Sequence, residues 1–121
     1  MRHSVLKRKL SMKYGMRKAY KKQSMRNLFL HRKLTTTDAR AKFIRPIAEK
    51  AITSARRIIA EPSEKTLHIR RKFIHQIGED ALKQLLDIAK GYMNRPGGYL
   101  RLIKIGSRWG DSAPMTSVSF V

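Results

Sequence analysis

The sequence predicts an α+β fold in two layers: a small mixed or antiparallel sheet packed against about four helices, with an extended basic arm at the N-terminus. Three observations carry this. Apolar residues recur at three- and four-residue spacing through the middle of the chain, the period shifts toward alternation after Gly91, and Arg95-Pro96-Gly97-Gly98 marks the change with turn chemistry. Helices followed by a segregated pair of strands are the α+β arrangement. The 121 residues suit one domain, 12–121, after an arm at 1–11, and 41% apolar content supports a core.

Residues 1–11 show no period and form the arm. Residues 12–30 are free of Pro and rich in helix formers, with Ser11 placed to cap them. Met12, Met16, Ala19, Tyr20 and Leu28 make a loose apolar stripe, apart from Lys13, Arg17, Lys18, Lys21 and Lys22. Gly15 weakens the helix start by about 1 kcal/mol relative to Ala. Residues 31–36, with Leu34 and a run of threonines, fit a short strand.

A second helix takes Thr36 or Thr37 as its cap and Asp38 in its first turn, where the dipole favours an anion. Ile44, Ile47, Ala51, Ala55, Ile58 and Ile59 form its buried face, and Pro46 should kink it or delay its regular start. After Glu61-Pro62-Ser63, a third helix over 63–77 uses Leu67, Phe73, Ile74 and Ile77 and stops at Gly78. The fourth begins at Glu79-Asp80, buries Leu82, Leu85, Leu86 and Ala89, and ends at Gly91. Residues 99–105 and 115–121 are the two strands, and 106–112 form a loop too long for a tight hairpin.

Charge dominates the composition. Lys and Arg number 28 against 8 Asp and Glu, a net charge of +20, which opposes compactness unless a polyanion neutralises it. The excess is uneven: residues 1–57 carry +16 and residues 58–121 only +4. The first acid is Asp38, so Arg2, Lys7, Arg8, Lys9, Lys13, Arg17, Lys18, Lys21, Lys22 and Arg26 have no acid near them in sequence and are available for phosphates. His3 sits among them. No cysteine is present, hence no disulfide framework or thiolate metal site. The longest uncharged stretch, 112–121, is about half the length that a membrane-spanning helix needs. A soluble, reducing compartment is expected.

Catalysis finds no assembly of groups. His68 and His75 stand seven apart without a carboxylate at one-turn spacing, and neither HExxH, GxSxG, GxGxxG nor a Walker sequence occurs. Capping explains Glu79 and Asp80. An enzyme, a metal and a cofactor are therefore not expected, nor is a small-molecule substrate. Binding is better served. Tyr99, Arg101, Lys104, Arg108 and Trp109 interleave aromatic and basic side chains around the strands and their loop, a pattern suited to stacking on unpaired bases. Trp109 either stacks in this way or packs beneath the loop, and the sequence leaves both open. Charge alone does not separate RNA from DNA, so a free nucleic-acid chaperone or DNA-binding protein is the alternative. A membrane-surface protein would need a basic amphipathic helix as its main apolar feature, and residues 44–59 look like core instead.

Residues 95–115, Arg95-Pro96-Gly97-Gly98-Tyr99 through Gly110-Asp111-Ser112-Ala113-Pro114-Met115, closely resemble the C-terminal signature of the bacterial large-subunit ribosomal protein L-seventeen family. Met1-Arg2-His3 matches its opening, and Thr36-Thr37, Ala41-Lys42, Arg45-Pro46, Glu49-Lys50 and Ile52-Thr53 match its central helix. The chain departs from the pattern at Met16, at Lys22-Gln23 and at Arg32. The resemblance implies a noncatalytic α+β protein that binds large-subunit ribosomal RNA near the exit of the peptide tunnel, beside neighbouring ribosomal proteins, in the cytoplasmic ribosome. It implies RNA contacts at Arg2 and His3, at Arg17, and along residues 97–111. The arm is expected to be unordered without RNA, because its charges then only repel.

Overall fold

A computed structural model describes residues 9–121. Their order is α1 (Tyr14–His31), β1 (Lys33–Thr37), α2 (Asp38–Ala60), α3 (Glu64–Ile77), α4 (Glu79–Lys90), β2 (Leu100–Ser107) and β3 (Pro114–Phe120). Arg2, His3, Lys7 and Arg8, and with them the expectation of an unordered arm, lie outside the described residues. The remainder of the expected arm is a turn: Leu10 and Ser11 have positive φ, and the Met12 N–H donates to the Lys9 carbonyl at 3.1 Å. Ser11 therefore caps nothing, and α1 starts at Tyr14.

The sheet is antiparallel throughout, in the order β1-β3-β2. The short strand expected from Leu34 and the threonines is real, and it pairs with β3 from Lys33↔Ser119 to Thr37↔Met115. Strand alternation sends Leu34, Leu100, Leu102, Val118 and Phe120 to the face that packs on the core. The opposite face carries Lys33, Thr35, Arg101 and Ile103, all exposed.

α2 is the spine of the helical layer. Ala41, Ile44, Ala48, Ala51, Ile52, Ala55 and Ile58 are buried, and the helix packs on α3, α4 and all three strands. Alanines at four of these seven positions let the neighbouring backbones approach closely. Ala48 and Ile52 belong to this face although the periodic reading passed over them, while Ile47 and Ile59 are only half-buried. The helix starts at Asp38 and runs through Pro46 without a delayed start. Pro46 is exposed, so the carbonyl its ring leaves unbonded is on the wet side.

α1 differs from expectation. Its buried residues are Ser24, Met25, Leu28 and Phe29, all in the second half, whereas Met16 and Ala19 are exposed. The sparse stripe in the first half held too little apolar area to compete with solvent for a helix whose other positions are cationic. α3 is also thinner than expected: Thr66, Phe73 and Ile77 are buried, but Leu67 and Ile74 are about 40% exposed. Its start is fixed by Thr66, whose hydroxyl donates to the Glu61 carbonyl at 2.9 Å and accepts from the Ser63 N–H at 3.3 Å. α4 stops before Gly91, as its sequence indicates, and buries Ala81, Leu82, Leu85, Ile88 and Ala89, while Leu86, expected in that set, is only half-buried.

Candidate nucleic-acid interface

The cations of the N-terminal third end in different surroundings. Lys9, Lys13 and Lys18 are exposed, and Arg17, Lys21 and Lys22 are half-buried. Among the described residues none of these six is ion-paired, since the four ion pairs are Arg26–Asp80, Lys42–Asp38, Lys90–Asp87 and Arg108–Asp111. Arg17 lies 5.8 Å from the Tyr14 ring centroid, so the first turn of α1 presents a cation and an exposed aromatic ring together. The first half of α1 is thus a cationic helix face with no acid to quench it.

Arg26 is the exception. Its guanidinium donates to both Asp80 carboxylate oxygens, at 2.7 and 2.8 Å, and to the Ile77 carbonyl at 2.7 Å. Those hydrogen bonds hold the Asp80 carboxyl below its usual range. The expectation that Arg26 has no acid near it does not carry over from sequence to fold: Arg26 braces α1 against the junction of α3 and α4, because Asp80, distant in sequence, is adjacent in the fold.

Tyr99 requires a second correction. It is 1% exposed and offers no face to a base. Its hydroxyl donates to the Arg95 carbonyl at 3.1 Å and accepts from Arg56 at 2.6 Å, while Arg56 also donates to the Met93 carbonyl at 2.8 Å. One face of α2 holds the whole segment. Two turns before Arg56, the Glu49 carboxylate accepts from the N–H groups of Tyr99 (3.2 Å) and Leu100 (3.0 Å). Sequence reasoning missed both partners; their spacing of seven on one helix was visible, but nothing local named the segment they grip.

The hairpin presents the rest. Register places Arg101 opposite Ser119 and Lys104 opposite Thr116, on different faces of the sheet. Both are exposed, but the structure does not bring them together. Lys104 is on the side of Asp38, whose carboxyl is lowered first by its hydrogen bond with Lys42 and further by Thr116 and the charge of Lys104. A bulge between Lys104 and Gly106, with Gly106 at φ +129°, bends the ribbon beyond it.

Trp109 occupies the loop between β2 and β3 and is 99% exposed, so it does not pack beneath the loop. The loop around it is ordered by its own bonds. Arg108 N–H donates to the Ala113 carbonyl at 2.8 Å, Ser112 N–H to the Arg108 carbonyl at 3.0 Å, and the Arg108 side chain is paired with Asp111, Nε to Oδ1 at 3.0 Å. Asp111 also accepts from the Ala113 N–H, and the Arg108 fork, the larger cause, depresses its carboxyl to about 2. Gly110, at φ +100°, permits the turn. Arg108 is thus half-committed to Asp111, and Trp109 is held out by a closed loop.

No group of three or more metal-ligating side chains occurs among the described residues, and none of their helices is long and apolar enough to cross a membrane.

Fold and surface together define a class: a small α+β protein that concentrates unpaired cations on one helix and holds a bare indole on an ordered hairpin loop. The sequence profile of the family described as Ribosomal protein L17 matches residues 20–121. The whole chain aligns with the protein called large ribosomal subunit protein bL17 from Allorhizobium ampelinum, 42% identical over 123 residues and covering 82% of that protein. The same named protein from Thermomicrobium roseum is 42% identical over 127 residues, with 100% of this chain and 99% of the relative aligned. That from Pelobacter propionicus is 42% identical, with 91% of the relative covered. The chain belongs to the ribosomal protein L17 family. It is a structural protein of the large ribosomal subunit, not an enzyme.

Proposed function

We propose that this chain binds and stabilises large-subunit ribosomal RNA, neutralising phosphates with its N-terminal segment and first helix and docking through the C-terminal hairpin loop. The observation that carries the reading is the run of cations from Lys9 to Lys22, exposed or half-buried and without an acid partner among the described residues. Such a run gains little from folding and much from a polyanion. Arg2, His3, Lys7 and Arg8 extend it toward the N-terminus. Arg101, Lys104, Arg108 and Trp109 supply the second attachment, with Trp109 stacking on an unpaired base. Its neighbours are large-subunit proteins near the exit of the peptide tunnel.

The test is a titration of transcribed large-subunit RNA with the full chain at rising salt. With about 6–10 phosphate contacts, affinity falls roughly 10³–10⁵-fold between 50 and 200 mM salt. Binding indifferent to salt, or absence of the protein from the large-subunit peak of a lysate gradient, overturns the reading.

A further inference from the structure

Three helices meet around a groove that the binding elements named above do not include as a site. Its rim carries Lys18, Lys21 and Lys22 from α1, Lys50 from α2, and His68 and Lys72 from α3. Its floor includes Met25, Ile47, Ile69 and Phe73. The volume is about 460 Å³, within the roughly 300–1,000 Å³ of sites that hold small molecules. No Asp or Glu lines it.

This combination is chemically particular. Five ammonium groups gathered from three helices repel one another, and nothing in the lining offsets them. A bare phosphate would satisfy the rim and leave the half-buried Ile47 and Ile69 wet. An unpaired nucleotide satisfies both, with phosphates for the lysines and a flat, weakly polar base for the aliphatic floor. A base inside a duplex cannot reach that floor, being stacked and paired already. An acidic peptide also combines charge with apolar groups. Continuity favours RNA: Lys18, Lys21 and Lys22 follow Arg17 on the same helix and Lys13 just before it, so a strand running along α1 crosses the rim.

We propose that the groove between α1, α2 and α3 takes an unpaired nucleotide of ribosomal RNA, with Lys50 and Lys72 joining the α1 lysines on its phosphates and Ile47 and Ile69 beneath its base. This rests on the RNA-binding function proposed above and adds contacts on α2 and α3.

The full chain is titrated with transcribed large-subunit RNA, with a mixed-sequence single strand of about ten nucleotides, and with the same sequence as a duplex. The double variant Lys50→Gln/Lys72→Gln should bind the single strand about tenfold more weakly, with a salt slope reduced by roughly 1.4, and bind the duplex nearly as before. Ile69→Ser should weaken single-strand binding and leave the slope unchanged. In the unaltered chain, the single strand should slow reductive methylation of Lys50 and Lys72, a readout that does not depend on any variant folding. If the chain binds large-subunit RNA but these two lysines stay as reactive as in the free protein, the groove proposal alone is overturned. It is also overturned if an oligoglutamate of equal charge protects them as well as the single strand does. Failure of the unaltered chain to bind large-subunit RNA overturns the function and the groove together.

Discussion

Arg26 and Asp80, 54 residues apart, form a two-pronged ion pair whose cation also donates to the Ile77 carbonyl at the end of α3. Three acceptors converge on one planar fork, which an ammonium group cannot reproduce. Arg26→Lys should therefore lower the melting temperature measurably although charge is kept. The Asp80 carboxyl is depressed in the folded chain, by Arg26 first and by the Ala81 N–H second. Its contribution is thus complete above the unfolded carboxylate value and is lost as pH falls through the folded one. Asp80→Asn should flatten that part of the acid-unfolding curve, and an unchanged curve would remove Asp80 from the account.

The grip of α2 on Tyr99 gives a second expectation. Tyr99→Phe removes an acceptor for Arg56 and a donor to the Arg95 carbonyl, and Arg56 already has a buried Nε without a partner. Leaving such groups unsatisfied costs about 1–3 kcal/mol, to be read from urea unfolding. RNA affinity measured well below the midpoint should not change, because Tyr99 is not at the surface.

Trp109 should behave in the opposite way. Trp109→Ala leaves the melting temperature unchanged, since a 99% exposed indole supports no packing. It should weaken RNA binding by about 1–3 kcal/mol if the indole stacks on one base. Its fluorescence supplies the check: emission typical of a water-exposed indole when free, quenched on adding RNA.

Acid should open the hairpin loop late. The Asp111 carboxyl stands at about 2 against an ordinary 3.8, chiefly through its bonds from Arg108. The pairing is intact at neutral pH, persists below the unfolded value, and is lost only as pH falls through about 2. A carbon-detected NMR titration that places Asp111 near the ordinary value would show that the pair is open in solution.

Substituting Lys13, Arg17 and Lys18 together by Gln should reduce the dependence of log affinity on log salt by roughly 2–3 units without altering stability. Arg17 and Lys18 lie in the first half of α1 and Lys13 just before it, where no residue is fully buried. A slope that stays put would take this half of the helix out of the RNA contact.

Local signals served some of these features and not others. Much of the buried face of α2, the acidic first turn of α4 and the alternation in β3 follow from spacing alone, so they were legible. The short strand after His31 was legible too, though its partner was not, because β3 lies some eighty residues further along the chain. The fates of Arg26 and Tyr99 were hidden for the same reason. What recruits them, Asp80 for one and Glu49 and Arg56 for the other, is distant in sequence and becomes adjacent only when the helices pack. The first half of α1 misled differently: a weak stripe of Met and Ala has a helical period without the area to bury. Trp109 was undecidable, since nothing local in Arg108-Trp109-Gly110 says whether the indole turns under the loop or away from it.

The central position of β3 has a consequence for how the molecule is made. Both of its neighbours precede it in the chain, so neither β1 nor β2 has a backbone partner while residues 114–120 are still to be translated. The helices can close on one another first, being local in sequence, but the nascent sheet stays unzipped, with two bare edges, until that segment emerges. A chain stalled at the Gly106 bulge would be a helical body with loose strands, a ready target for chaperones and proteases.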